Sequence, residues 1–224
     1  SSFLKFFSNK WYSKLYKSDK YLIHEYCRNK EFVSQLNIPY LKDNYLPKFK
    51  DIGYMIKSKN KDFIIINPGA YDYRRIWPLK SFIELIYLIS EKYNIDIYLC
   101  GSNSDKKIVD YIYKKSQIKN LYNFSGKTNL LELIELIRLS RLVIANDSAS
   151  IHISYAVKTN SICISGGNNF GRFVPYPRGF NYSPQTVYSN ECLEKKWRCQ
   201  KFHRCVTQVK KEDVFQKVKN ILEN

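Results

Sequence analysis

The chain has 224 residues, 37 Lys+Arg against 20 Asp+Glu for a formal charge of +17, and 44% hydrophobic and 16% aromatic residues. That apolar content excludes intrinsic disorder despite the charge, and no window approaches the roughly eighteen apolar residues that a membrane-spanning helix needs. Six cysteines are too sparse for a disulfide scaffold, so the composition predicts a soluble, cytoplasmic protein with reduced thiols.

Residues 1–60 are aromatic and basic, show no sustained period and are punctuated by Pro39 and Pro47. They predict helices and connectors that pack on another layer. From residue 61 the texture changes. Residues 63–66 form a continuous apolar run closed by Asn67-Pro68-Gly69, a buried strand entering a loop. Residues 79–92 place Phe82, Leu85, Ile86 and Ile89 at i, i+3, i+4 and i+7, an amphipathic helix. The pattern then repeats. A strand over 95–100 ends in Gly101-Ser102-Asn103, and a helix over 105–115 turns Ile108, Val109 and Ile112 inward. A strand over 121–124 enters the turn Ser125-Gly126-Lys127, and a Leu- and Ile-rich helix covers 129–139. A strand over 142–145 precedes a short helix beginning near Ser148, and a strand over 161–164 precedes Gly166-Gly167. The tail closes with an amphipathic helix over 212–222 through Val214, Val218, Ile221 and Leu222.

Strands alternating with helices predict a doubly wound, parallel, Rossmann-like α/β domain over 61–185, with helical extensions at 1–60 and 186–224. Cys100 and Cys163 fall at the end of, or within, its apolar runs and read as small core residues. Sheets of this kind bind ligands outside the carboxyl ends of their strands, so the strand-end loops hold the candidate site.

Asn146-Asp147-Ser148-Ala149-Ser150-Ile151-His152 is the most informative of these loops. Asp147 ends a strand and Ser148 can cap the following helix, so the amides of Ser148, Ala149 and Ser150 converge with a positive helix end suited to a pyrophosphate. Asp147 can accept hydrogen bonds from sugar hydroxyls, and His152 lies one helical turn from Ser148. The bland reading makes Asp147 a cap and His152 a core imidazole. After the first strand, Gly69, beside Ala70, lets backbone approach a ligand, and a guanidinium from Arg74 or Arg75 can grip a phosphate with paired hydrogen bonds; equally, both arginines are solvated and Trp77 packs on the sheet. Gly101 and Asp105 lie after the second strand, and Lys127 and Thr128 before the Leu-rich helix, where Thr128 reads most simply as a helix cap. Gly126-Lys127-Thr128 is no Walker loop, because Leu121 stands where that motif needs glycine. No G-x-G-x-x-G follows a strand. The loop from Gly166 to Phe173 either wraps a ligand or only leads the chain away.

Cys192, Cys199, His203 and Cys205 offer zinc-ligand types without a C-x2-C knuckle, so neither metal nor other cofactor is expected. The basic excess is spread along the chain with no run of five, which disfavours a nucleic-acid partner and favours attraction to anionic phosphates or a membrane surface.

Taken together, these loops resemble the C-terminal domain of glycosyltransferase family 9, the lipopolysaccharide heptosyltransferase-like enzymes of GT-B fold. The resemblance rests on Asn67-Pro68-Gly69, Arg75-Ile76-Trp77-Pro78, Gly101, the Ser-Gly-Lys-Thr turn at 125–128 and Asn146 to His152, in order over residues 61–180. It implies a nucleotide-diphosphate-sugar donor, typically ADP-heptose, and an inverting transfer onto a lipid-linked lipopolysaccharide acceptor at the inner face of the cytoplasmic membrane. Arg75 stands where a phosphate-gripping Lys is usual, Asp147 would meet donor-sugar hydroxyls, the Ser148 and Ala149 amides the pyrophosphate, and Asp105 the ribose. Ala149 replaces the family's usual Gly, and Gly166 onward lacks its Gly-Pro-Thr. The resemblance also places the catalytic base in an N-terminal domain of which residues 1–60 are expected to be only the end and linker, so this chain is expected to bind donor without turning over acceptor. A non-catalytic nucleotide-sugar-binding module and a basic nucleic-acid-binding protein stay open as alternatives.

Overall fold

The computed structural model describes residues 25–35, 62–166, 173, 174, 176, 184–189 and 204–223. Helix α1 (Glu25–Gln35) lies in the N-terminal segment. The alternation that follows is β1 (Phe63–Asn67), α2 (Leu79–Lys92), β2 (Asp96–Leu99), α3 (Lys106–Ser116), β3 (Leu121–Asn123), α4 (Leu130–Leu139), β4 (Leu142–Asn146), α5 (Ala149–Ala156) and β5 (Ser161–Ile164). A sixth strand, β6 (Gln185–Val187), and helices α6 (Arg204–Thr207) and α7 (Lys211–Leu222) complete it.

All five strand pairings are parallel and the order is β3-β2-β1-β4-β5-β6. The predicted doubly wound sheet is therefore present, with one strand more than the periodicity foretold. Because β1 and β4 are neighbours, the chain winds outward one way through β2 and β3 and the other way through β5 and β6. The connections diverge at the carboxyl ends of β1 and β4 and open a crevice there.

Alternation within each strand splits the core into two layers. Ile64, Ile66, Ile97, Leu99, Leu142, Ile144, Ile162 and Ile164 pack under α2, α3 and α7 through Phe82, Leu85, Val109, Ile112, Val214 and Val218. Phe63, Ile65, Tyr98, Cys100, Val143, Ala145 and Cys163 face α4 and α5 through Leu136, Ile137 and Ile151. Tyr98 is stacked between Phe63 and Phe124, with centroids 4.5 and 4.6 Å away, so this layer is aromatic at its centre. Cys100 and Cys163 are buried in it, as predicted, and desolvation pushes the Cys100 thiol up to about 12.

The C-terminal segment from α6 through α7 does more than decorate the domain. Val206, Val209, Val214 and Val218 join the first layer, Lys211 pairs with Glu84 at 2.8 Å, and the Val209 carbonyl accepts the indole N–H of Trp77 at 2.9 Å. Cys192, Cys199, His203 and the loop residues 167–172 lie outside the described residues. Among the described residues no His/Cys/Asp/Glu cluster could hold a metal, and no helix is long and apolar enough to cross a membrane.

Candidate functional site

A cleft of about 570 Å³ opens at the crevice between the strand ends. Its walls come from the loop after β1, the loop after β2, the start of α4 and the β4–α5 junction. Gly69, Ala70, Arg75, Gly101, Asp105, Thr128, Asp147, Ser148, Ala149 and His152 all line it. Only Lys127 among the predicted residues does not. Gly126 sits at φ +67°, a left-handed turn that sends Lys127 back to donate to the Asn123 carbonyl at 2.7 Å, beside a separate hollow on the edge strand. We therefore leave Lys127 out of the site. Thr128 lines the cleft but is not the helix cap. That role belongs to Asn129, whose side chain accepts from the Glu132 amide at 3.0 Å while Glu132 accepts from the Asn129 amide at 2.9 Å.

Two buried asparagines hold the β1 and β4 ends together. Asn146 accepts from the Trp77 amide at 3.0 Å and donates to the Pro68 carbonyl at 2.7 Å, which pins the loop carrying Arg75. Asn67 donates to the Ser150 hydroxyl at 2.6 Å, which ties β1 to the first turn of α5. Trp77 is wholly buried and meets Phe82 edge-on at 5.0 Å, so it anchors the loop rather than facing a ligand.

The adjacent arginines have different fates. Arg74 is taken by Asp72 through its backbone N–H, Nε and Nη2 at 2.8 to 3.0 Å. Arg75 lines the cleft, half-buried, and among the described residues no carboxylate engages its guanidinium. The Asp105 carboxylate accepts from the amide and hydroxyl of Ser102 at 2.8 and 2.6 Å. It also presses against Gly69, where a Cβ would overlap it, and its own Cβ would lie 2.9 Å from a Cβ placed on Gly101. Those two glycines thus make room for a protein carboxylate as much as for a ligand.

At the start of α5, Ser148 is the N-cap in extended conformation but its side chain makes no capping bond. Its hydroxyl oxygen is buried and has no hydrogen-bond partner among the described residues. The Ile151 amide bonds the Ser148 carbonyl at 3.1 Å; among the described residues the Ser148, Ala149 and Ser150 amides have no protein acceptor. Unsatisfied donors at a helix N-terminus favour an anion. Asp147 is buried at the lip, beside Cys163, whose thiol is pushed up by burial and then by that carboxylate. His152 bonds the Tyr176 hydroxyl through Nδ1 at 2.8 Å.

The cleft therefore combines a guanidinium that no carboxylate engages among the described residues and a cradle of amides with two carboxylates, Asp105 and Asp147. Amides and guanidinium suit phosphate oxygens; carboxylates repel them but accept from hydroxyls. A ligand carrying both phosphate and sugar fits this set better than a bare anion. Parallel sheet and crevice together define a doubly wound α/β protein with an open amide cradle at its strand ends.

The model of glycosyltransferase family 9 (heptosyltransferase) matches residues 20–203, and the chain belongs to that family. It is 28% identical over 193 residues to lipooligosaccharide heptosyltransferase 2 of Campylobacter jejuni serotype O:2, an alignment covering 83% of this chain and 59% of that protein. The chain thus spans well under two thirds of that relative's length. The crystal structure of the family 9 glycosyl transferase from Veillonella parvula superposes with a TM-score of 0.75 at 15% identity, covering 98% of this chain and 66% of that one. An Escherichia coli heptosyltransferase solved with ADP-2-deoxy-2-fluoro heptose superposes at 0.63 and 14% identity, covering 96% of this chain and 61% of that one. At such identities the likeness shows a shared fold.

Proposed function

We propose that this chain carries the donor-binding half of an inverting glycosyltransferase, and that its donor is a nucleoside-diphosphate sugar, ADP-heptose in preference to others. One observation carries the reading: Arg75 and the open amides of Ser148, Ala149 and Ser150 line the same cleft as Asp147. The diphosphate is held by the amides and Arg75, the sugar hydroxyls by Asp147 and the ribose by Asp105. Family membership and the ligand of the E. coli structure favour ADP-heptose over other donors.

The mechanism follows from where charge develops. As the bond from the anomeric carbon to the β-phosphate oxygen breaks, negative charge gathers on the diphosphate, and the α5 end and Arg75 stabilise it without reorganising. The acceptor hydroxyl attacks the opposite face of the sugar and loses its proton to a carboxylate. Asp105 and Asp147 are occupied in holding the donor, so that base is assigned to residues beyond the described cleft. The acceptor is a lipid-linked lipopolysaccharide core at the cytoplasmic membrane face, toward which the +17 charge contributes attraction.

A thermal-shift panel of ADP-, GDP- and UDP-sugars tests the reading. Stabilisation by an ADP-sugar that disappears in Asp147→Ala and Arg75→Ala supports it; no response to any nucleotide sugar sinks it.

A further inference from the structure

Outside the cleft, helix α3 presents a surface of uniform chemistry. Its spacing turns Val109, Ile112 and Ser116 inward, and every residue that it exposes is a lysine or a tyrosine: Lys106, Lys107, Tyr111, Tyr113, Lys114 and Lys115. Its neighbours differ. Helix α2 exposes lysine, tyrosine and glutamate together, and α7 exposes Glu212, Gln216 and Asn220. The lysines differ in company as well. Lys80, Lys92 and Lys211 pair with Glu84 or Glu223, whereas among the described residues no carboxylate pairs with a lysine of α3. Asp110, the one acid of the helix, accepts from the Asn123 side chain at 2.6 Å. The face also continues past its own helix. Tyr87 reaches the Lys115 carbonyl at 3.4 Å, and Lys127 joins Tyr113 and Lys114 around the hollow on the edge strand.

Unpaired lysines crowded on one helix repel one another, and a polyanion laid against them relieves that repulsion. The residue types separate a membrane from a nucleic acid. Arginine is the usual reader of nucleic acid, because its planar fork pairs with phosphates and base edges; α3 exposes none. Lysine is a compact point charge suited to a fluid array of lipid phosphates, and a cluster of about four to eight on one helix suits an anionic leaflet. Tyrosine belongs at the same boundary, with its ring among the headgroups and its hydroxyl in water. Position agrees: Lys106 directly follows Asp105 of the cleft wall, so a bilayer lying on α3 meets the protein beside the cleft. We propose that the outer face of α3 is a docking surface for an anionic phospholipid membrane, its lysines on lipid phosphates and Tyr111 and Tyr113 seated between headgroups. It rests on the membrane-linked acceptor of the proposed function and is independent of the nucleotide donor.

Co-sedimentation with vesicles tests it, comparing equimolar phosphatidylglycerol and phosphatidylcholine with phosphatidylcholine alone. The wild type should bind the mixed vesicles, leave them as salt rises, and ignore the neutral ones. Lys106→Gln, Lys107→Gln, Lys114→Gln and Lys115→Gln combined, which keep good helix formers in place, should weaken partitioning about a hundred-fold, from about five-fold per lysine. A matched variant combining Lys80→Gln, Lys92→Gln, Lys158→Gln and Lys210→Gln removes the same charge elsewhere and should lose about three-fold or less. Tyr111→Ser with Tyr113→Ser should cost about three-fold, the scale of a few tens of Å² of ring returned to water, and no loss overturns the seating of the rings. Equal losses in the two lysine variants, or an α3 variant that binds like the wild type, overturn the docking face and leave the membrane attraction standing. A wild type that binds no anionic vesicle overturns both. Single-stranded RNA held through the α3 lysines by a protein that ignores the vesicles makes the face a nucleic-acid site and overturns the membrane as its occupant.

Discussion

Helices α4 and α5 both begin at the carboxyl edge of the sheet and both border the cleft, yet their first turns are finished differently. The α4 end is closed by its own side chains, with Asn129 and Glu132 each accepting the other's amide. The α5 end has a serine in the capping position whose hydroxyl is buried and unpartnered, and three amides with no acceptor among the described residues. Among the described residues the Leu130 and Leu131 amides of α4 also lack an acceptor, so what sets α5 apart is its open N-cap amide and its unused serine hydroxyl. The contrast is the reason the proposed phosphate site is placed at α5 and not at α4.

The largest effect should come from loosening the support of the open end. Asn146→Ala leaves the Trp77 amide and the Pro68 carbonyl without their buried partner, and urea titration should read a loss of about 2–4 kcal/mol. Next, Arg75→Ala should weaken ADP about ten- to hundred-fold in calorimetry. Arg74→Ala, whose guanidinium is already held by Asp72, should change it little, and equal losses would break the distinction between the two arginines. The capping contrast itself is tested by a smaller pair. Glu132→Ala should cost about 0.5–1 kcal/mol of stability and leave ADP affinity intact. Ser148→Ala should cost no stability and weaken ADP about three-fold. The reverse pattern would erase the comparison. Smallest of all, Cys100 and Cys163, buried beneath this edge with their thiols held protonated, should stay unmodified by iodoacetamide at pH 8 in the folded protein, as mass spectrometry would read.

Most of the fold was legible because it is written in periodicity. Each strand from β1 to β5 is a short apolar run and each helix has an apolar face, so their order predicted the sheet. Strand β6 was not legible: among the described residues Gln185, Thr186 and Val187 pair with β5 alone, and only Val187 is buried, so three residues with one buried apolar side chain leave no pattern. The lining of the cleft was legible where backbone position decides it, as at the strand ends carrying Gly69, Asp147 and Ser148. It failed where a side chain's direction decides. Lys127 adjoins Thr128 in sequence, but the left-handed Gly126 turns it to the Asn123 carbonyl. Residue type and spacing do not separate Arg74 from Arg75; only the family resemblance singled out Arg75, and Asp72 claims its neighbour. Tyr176 reaches His152 across twenty-four positions, and no local spacing announces that meeting.

The central claim is that the open amides of α5 hold a diphosphate. Titrating ADP into 15N-labelled protein and following the backbone amides reads it directly. Saturable shifts of the Ser148, Ala149 and Ser150 signals, absent at Glu132 in the closed first turn of α4, are the predicted result. Binding that leaves those three amides unmoved, or no binding at all, would contradict it.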